Sequence, residues 1–125
     1  MTDARTAKTA VRHDWADIPA DHPVDHISRQ LVVGERMMVG RMIVEDGFDI
    51  PPHVHPNEQI SIVVEGSIVF RVADVGSAEF REVLVSAGQV MELPPHVPHG
   101  VRAIEHSVVF DLFSPPSEKT GLDSD

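Results

Sequence analysis

From Ile27 onward the chain is a succession of short apolar runs cut by turn-forming residues. ISRQLVV (27–33) and RMMVGRMIVE (36–45) are separated by Gly34-Glu35 and closed by Asp46-Gly47. ISIVV, SIVFRVAD, FREVLV, QVMEL, GVRAI and SVVFDLF follow, divided by Gly, Asp, Ser or Pro. β-branched residues recur in these runs, and turn formers bound them, so they read as strands. No segment holds a helical period over several turns. Many short strands at regular spacing predict an all-β sandwich or barrel. Around the fourth run, Gln59, Ser61 and Val63 share one face while Ile60, Ile62 and Val64 share the other. Both faces are substantially apolar, so the outer one calls for cover by a second sheet or a second subunit.

The flanks differ from this middle. Residues 1–26 are expected to form an N-terminal tail or arm, polar and aperiodic at first. In DWADIPADHPVDH the prolines and aspartates forbid long regular structure. Trp15, the only tryptophan, is expected to peg that arm to this barrel or to a neighbouring one. Residues 27–116 form the predicted barrel, and 117–125 a C-terminal tail, Pro-flanked and then acidic.

Length and composition narrow the picture. A chain of 125 residues suits one domain with a real core. Ten basic against twenty acidic residues give a net charge of −10, which argues against nucleic acid and against long-range steering of anionic substrates. There is no membrane-length apolar run and no signal-peptide core, so the expectation is a cytoplasmic protein without membrane attachment. With no cysteine, disulfides and thiolate ligands are excluded and metal binding falls to histidine.

The candidate chemistry lies in two stretches, GFDIPPHVHPNEQISIVVEG (47–66) and GQVMELPPHVPHGVRA (88–103). His53 and His55 are two apart, so on extended backbone both imidazoles point one way, and Gln59 keeps that phase. Glu58 is the alternative oxygen donor but lies in the opposite phase. The second stretch supplies His99. Three imidazoles and one oxygen, with positions left for solvent, make an open site for one divalent transition metal, Ni, Zn, Fe or Mn. PPHV recurs at 51–54 and 94–97, so two Pro-stiffened corners are expected to feed one site, with His96 a candidate fifth ligand or proton shuttle. Met37, Met38, Met42 and Met91 are expected to fill the barrel. Gln59 takes no proton, so a base must come from elsewhere. Asp111 is the candidate: it either faces solvent or lines a wet pocket, since an unpaired carboxylate in an apolar core is costly.

The first stretch reads G-x5-H-x-H-x3-Q-x6-G and the second G-x5-P-x-H-x2-H, a pattern that resembles the two motifs of the cupin superfamily. The resemblance implies a single-domain jelly-roll β-barrel and, since members are often dimers, a homodimer. Over residues 26–116 the chain is more closely similar to the small cupins of pectin degradation, through HPNEQ, PHVPHG and above all DLFSPPS. That family opens 4,5-unsaturated uronates to a linear keto sugar acid. The resemblance implies metal ligands at His53, His55, Gln59 and His99, and decides for Asp111 in a pocket beside the metal as the proton-moving residue. It implies that Phe113 borders the substrate. Where the family has an arginine suited to a uronate carboxylate, this chain has Ser117 as the substrate-side residue, with Lys119 or Arg41 as possible replacements.

The resulting expectation is a metal-dependent enzyme of isomerase or lyase type. Its substrate would be a small oxygenated molecule, a sugar acid or related carbonyl compound. The alternatives are a metal-dependent oxygenase and a non-catalytic ligand-binding or sensory cupin.

Overall fold

The computed structural model describes residues 9–117, 120 and 122. Nine strands follow one another: β1 (Ile27–Val33), β2 (Met38–Val44), β3 (Asp49–His53), β4 (Glu58–Glu65), β5 (Ser67–Val72), β6 (Arg81–Ser86), β7 (Val90–Leu93), β8 (His99–Ala103) and β9 (Ser107–Ser114). They form a five-stranded sheet ordered β1-β2-β9-β4-β7 and a four-stranded sheet ordered β3-β8-β5-β6. Every strand pairing is antiparallel. Chain neighbours are repeatedly separated in sheet order, and the two sheets face each other as a jelly-roll sandwich. Among the described residues the one helical element is a 3-10 turn, Trp15–Asp17, and no helix is long and apolar enough to cross a membrane.

Period-two burial explains the core. On β2, Met38, Met42 and Val44 point inward, joined by Val63 of β4, Val109 and Phe113 of β9, and Ile68, Phe70 and Val72 of β5. Gly66 closes the β4–β5 turn at φ +81°, where a Cβ would collide with the His106 carbonyl and with Ser107, so only glycine serves there.

Three features depart from the sequence reading. Residues 49–53, which include most of the first Pro-stiffened corner, form a strand that the apolar pattern did not mark. Pro51 and Pro52 argue against a central strand, but β3 is an edge strand paired only with β8, where a missing N–H costs little. Met37 is 54% exposed and does not fill the barrel, whereas Met38 and Met42 are buried and Met91 packs on the core. Thr120 and Leu122 do not trail: Thr120 is buried and accepts a hydrogen bond from Arg29 Nη1 at 2.9 Å, and Leu122 packs on the core.

Among the described residues no second sheet covers the outer face of β4, where Ile60 and Ile62 are half-buried and Val64 is exposed. Trp15 takes up part of the five-stranded sheet's outer face, its ring 5.9 Å from that of Phe110. Gln30 Nε2 fastens the arm by donating to the carbonyls of Trp15 and Ile18. Of the two barrels considered for Trp15, it pegs its own.

Candidate metal centre

The β3–β8 pairing builds the site. His53 and His99 are register partners at the ends of the two strands. A Cβ on Gly100 would press on the backbone of Ile50 and Pro51, so glycine there permits the close approach. His55 follows in the loop to β4. The three rings gather with centroids 4.8 Å (His53–His99), 4.8 Å (His55–His99) and 5.6 Å (His53–His55) apart. One ligand nitrogen from each lies within 4.8 Å of the others, so the three could hold one metal ion.

Their tautomers are fixed by the backbone. Nδ1 of His53 lies 3.2 Å from the Pro51 carbonyl, Nδ1 of His55 3.1 Å from that of Asn57, and Nδ1 of His99 3.0 Å from that of Val97. A carbonyl only accepts, so each Nδ1 carries the proton and each Nε2 is left with a bare lone pair. His53 Nε2 is buried without a hydrogen-bond partner.

Gln59, 6% exposed on the inward face of β4, completes the donor set. Ser61 gives its hydroxyl proton to Asp111 Oδ1 at 2.5 Å, so toward Gln59 it offers a lone pair and takes a bond from Gln59 Nε2 at 3.0 Å. That turns Gln59 Oε1 to the imidazoles, 3.1 Å from His55 Nε2. A neutral His55 has one N–H and cannot donate both to Asn57 and to Gln59. Two lone pairs then face each other at 3.1 Å, an arrangement that a shared cation resolves. The donor set fits a divalent transition ion.

Electrostatics agree with neutral ligands. Burial holds His99 down to about 4, against the Val97 carbonyl, which favours the charged form. Burial also lowers His53, again opposed by its backbone partner. Asp111 moves the other way. It sits on β9 opposite Ser61 and lines a cavity of about 50 Å3 beside His53, Gln59 and His99. Burial there pushes its carboxyl up to about 6, while hydrogen bonds from Ser61 and Gln59 pull it down.

Residues 40–113 match the family model of the cupin domain. The chain belongs to the cupin family. This cupin superposes on an RmlC-like cupin from Shewanella frigidimarina with TM-score 0.77 at 24% identity, covering 89% of this chain and 96% of that one. It resembles KdgF from Halomonas sp. with TM-score 0.75 at 26% identity, covering 89% and 98%. Bacillus subtilis oxalate decarboxylase, a protein with Mn(II) centres, shares the fold at TM-score 0.76 and 17% identity, covering 89% of this chain and 31% of that one. A search of curated proteins finds no match.

Other expected residues of this cupin lie elsewhere. Phe113 is buried with its ring 6.0 Å from that of His55, so it backs the imidazole, and it is not among the residues that line the cavity. Ser117 is not among the cavity's lining residues; its carbonyl accepts from the Thr120 N–H. Arg41 faces outward on β2 and donates to Gln30 at 3.0 Å. Lys119 lies outside the described residues. His96 is exposed at φ 66° and absent from the histidine group; the second PPHV corner leads into His99 instead, whose Nδ1 meets the Val97 carbonyl. Glu58 is exposed, as its phase requires.

Sequence reading gave no role to four residues. Ser61, with 0% exposure, was legible only as a polar residue in an inward phase. Asn57 is buried and ties its loop to the Pro115 carbonyl at 2.5 Å. Thr120 and Leu122 line the cavity, and no sequence signal marked them.

Proposed function

We propose that this cupin is a metal-dependent enzyme of isomerase or lyase type acting on a small carbonyl compound. His53, His55, His99 and Gln59 would hold one divalent transition ion. The observation that carries this reading is the set of three imidazoles whose Nδ1 atoms face backbone carbonyls while a ligand nitrogen of each lies within 4.8 Å of the others, with Gln59 Oε1 3.1 Å from His55 Nε2. When bound, the ion supplies Lewis acidity, polarising an oxygen of the substrate, and four neutral donors leave its charge uncompensated.

The chain's own residues supply the rest. Gln59 cannot titrate, so Asp111 is the group that takes a proton from carbon next to a carbonyl and returns it at a neighbouring atom, with no net oxidation. Ser61 orients that carboxylate and Gln59 together. Phe113 and the backbone carbonyls keep the imidazoles in place. Ser117 and Phe113 are not assigned to the substrate.

The experiment is elemental analysis of untagged protein followed by a carbonyl-substrate screen under air and under nitrogen. About one transition ion per chain and oxygen-independent turnover are expected. Stoichiometric metal in a folded His53→Ala/His99→Ala protein would sink the site, and oxygen consumption would move the chemistry to an oxygenase. Tight ligand binding without turnover would favour the non-catalytic reading.

We also propose a second copy of the chain as partner. The half-buried Ile60 and Ile62 and the exposed Val64 and Val90, on β4 and its neighbour β7, support it. Light scattering that gives a monomer mass at high micromolar concentration would count against it.

A further inference from the structure

The walls of the cavity restrict what can enter it. Apart from His53, His99, Gln59, Ser61, Asp111 and Thr120, the lining is apolar and includes Met42, Phe48, Ile68, Phe70, Val101 and Val109. Among the described residues no lysine or arginine lines it. Arg29 is buried behind it and already engaged: Nε and Nη2 pair with Asp21 at 2.9 and 2.7 Å, and Nη1 donates to Thr120. Arg41 faces away. Among the described residues, the one ionisable group besides the histidines that lines the cavity is a carboxyl, Asp111.

An anionic oxygen placed on the metal would be compensated by the ion. A second charge elsewhere on the ligand would meet hydrocarbon and Asp111, with no partner, and burying such a charge is costly. Size points the same way. The cavity is small, about 50 Å3, so a compact ligand suits it better than a hexose-sized acid.

We infer that the site selects a small carbonyl or hydroxycarbonyl compound with a short hydrocarbon body and no charged group remote from its metal-binding oxygens. The selection rests on the metal site proposed above, and it replaces the sugar acid as substrate class. The oxygens meet the ion and Asp111, while the hydrocarbon body meets the Phe70 and Val101 side.

The test is calorimetric and independent of turnover. Metal content of wild-type protein is measured first, so failure of the metal reading is seen separately from failure of the selection. Metal-loaded protein is then titrated with acetoin, a neutral hydroxyketone, with levulinate, a ketone bearing a remote carboxylate, and with galacturonate. Acetoin should bind at least about tenfold tighter than either acid. Absence of acetoin binding at millimolar concentration, or tighter binding of either acid, overturns the selection. Acid binding that disappears in Lys119→Ala overturns it too and identifies the missing cation.

Discussion

Ser61 on β4 donates its hydroxyl proton to Asp111 on β9 at 2.5 Å, and the two are register partners across the sheet. The pair settles two things at once. It ties the only inward carboxyl of β9 to a fixed donor, and through the Gln59 Nε2 bond it sets which end of the Gln59 amide faces the imidazoles. One hydroxyl thereby couples the expected base to the expected metal ligand.

Ser61→Ala should therefore act on both. Loss of a hydrogen bond that favours the ionised carboxyl lets Asp111 rise further above its present value of about 6. The acid limb of the pH–rate profile should move up by about one pH unit, the scale of a hydrogen bond to a charged group. Metal affinity should drop by about tenfold, as for loss of a group that orients a ligand. An unmoved acid limb together with unchanged metal affinity would refute the coupling.

Asp111→Asn should keep the metal and lose at least about 100-fold in rate on an identified substrate, the usual contribution of a positioned acid or base. Full activity in a metal-replete variant would remove Asp111 from the mechanism while leaving the histidine site standing. Wild-type turnover of 4,5-unsaturated galacturonate should be weak or absent. Ser117 carries no charge, and the cavity presents no cation among the described residues.

The strand pattern of the fold was legible because burial alternates at period two, and seven residues of β1 match the run ISRQLVV. β3 escaped because its prolines read as a stiff corner, and its place at a sheet edge makes them tolerable. The four candidate ligands were legible from the spacing of the motifs, but one strand phase does not run through them: His53 ends β3, His55 lies in the loop, and Gln59 stands on β4 of the other sheet. What spacing could not supply was cross-strand geometry. The Ser61–Asp111 bond spans residues 50 apart in sequence, and Arg29–Thr120 spans 91. Phe113 shows the same limit: its burial against His55 is a property of the packed sheets and not of the local run.

The N-terminal arm offers a stability test. Trp15 is half-buried against Phe110, and its backbone is held by Gln30. Trp15→Ala should cost about 1–2 kcal/mol, combining lost apolar burial with an aromatic pair. Urea denaturation followed by circular dichroism reads this without the missing fluorophore. The loss should not depend on protein concentration, because the ring packs on its own chain. A concentration-dependent loss would place the arm on a neighbouring barrel.

Metal-free protein should lose stability on mild acidification, and the sign follows from competing groups. His99 is depressed from 6.5 to about 4, so between these values the folded state binds fewer protons than the unfolded one. Its contribution is present above about pH 6.5 and lost as pH falls toward 4. His53 is also lowered and acts in the same direction. Asp111 opposes them: raised from 3.8 to about 6, it makes the folded state bind more protons across nearly the same window, so its contribution grows on acidification. His99 and Asp111 nearly offset each other, and His53, lowered as well, tips the balance to a small net loss between pH 6.5 and 4. Bound metal should steepen that loss, because ligation needs neutral imidazole. Urea midpoints of chelator-treated protein at pH 7.5 and pH 5 measure the first effect, and the same pair with added metal measures the second. A chelated protein more stable at pH 5 would mean that Asp111 outweighs the histidines. A metal-dependent increment equal at both pH values would mean that imidazoles are not the ligands.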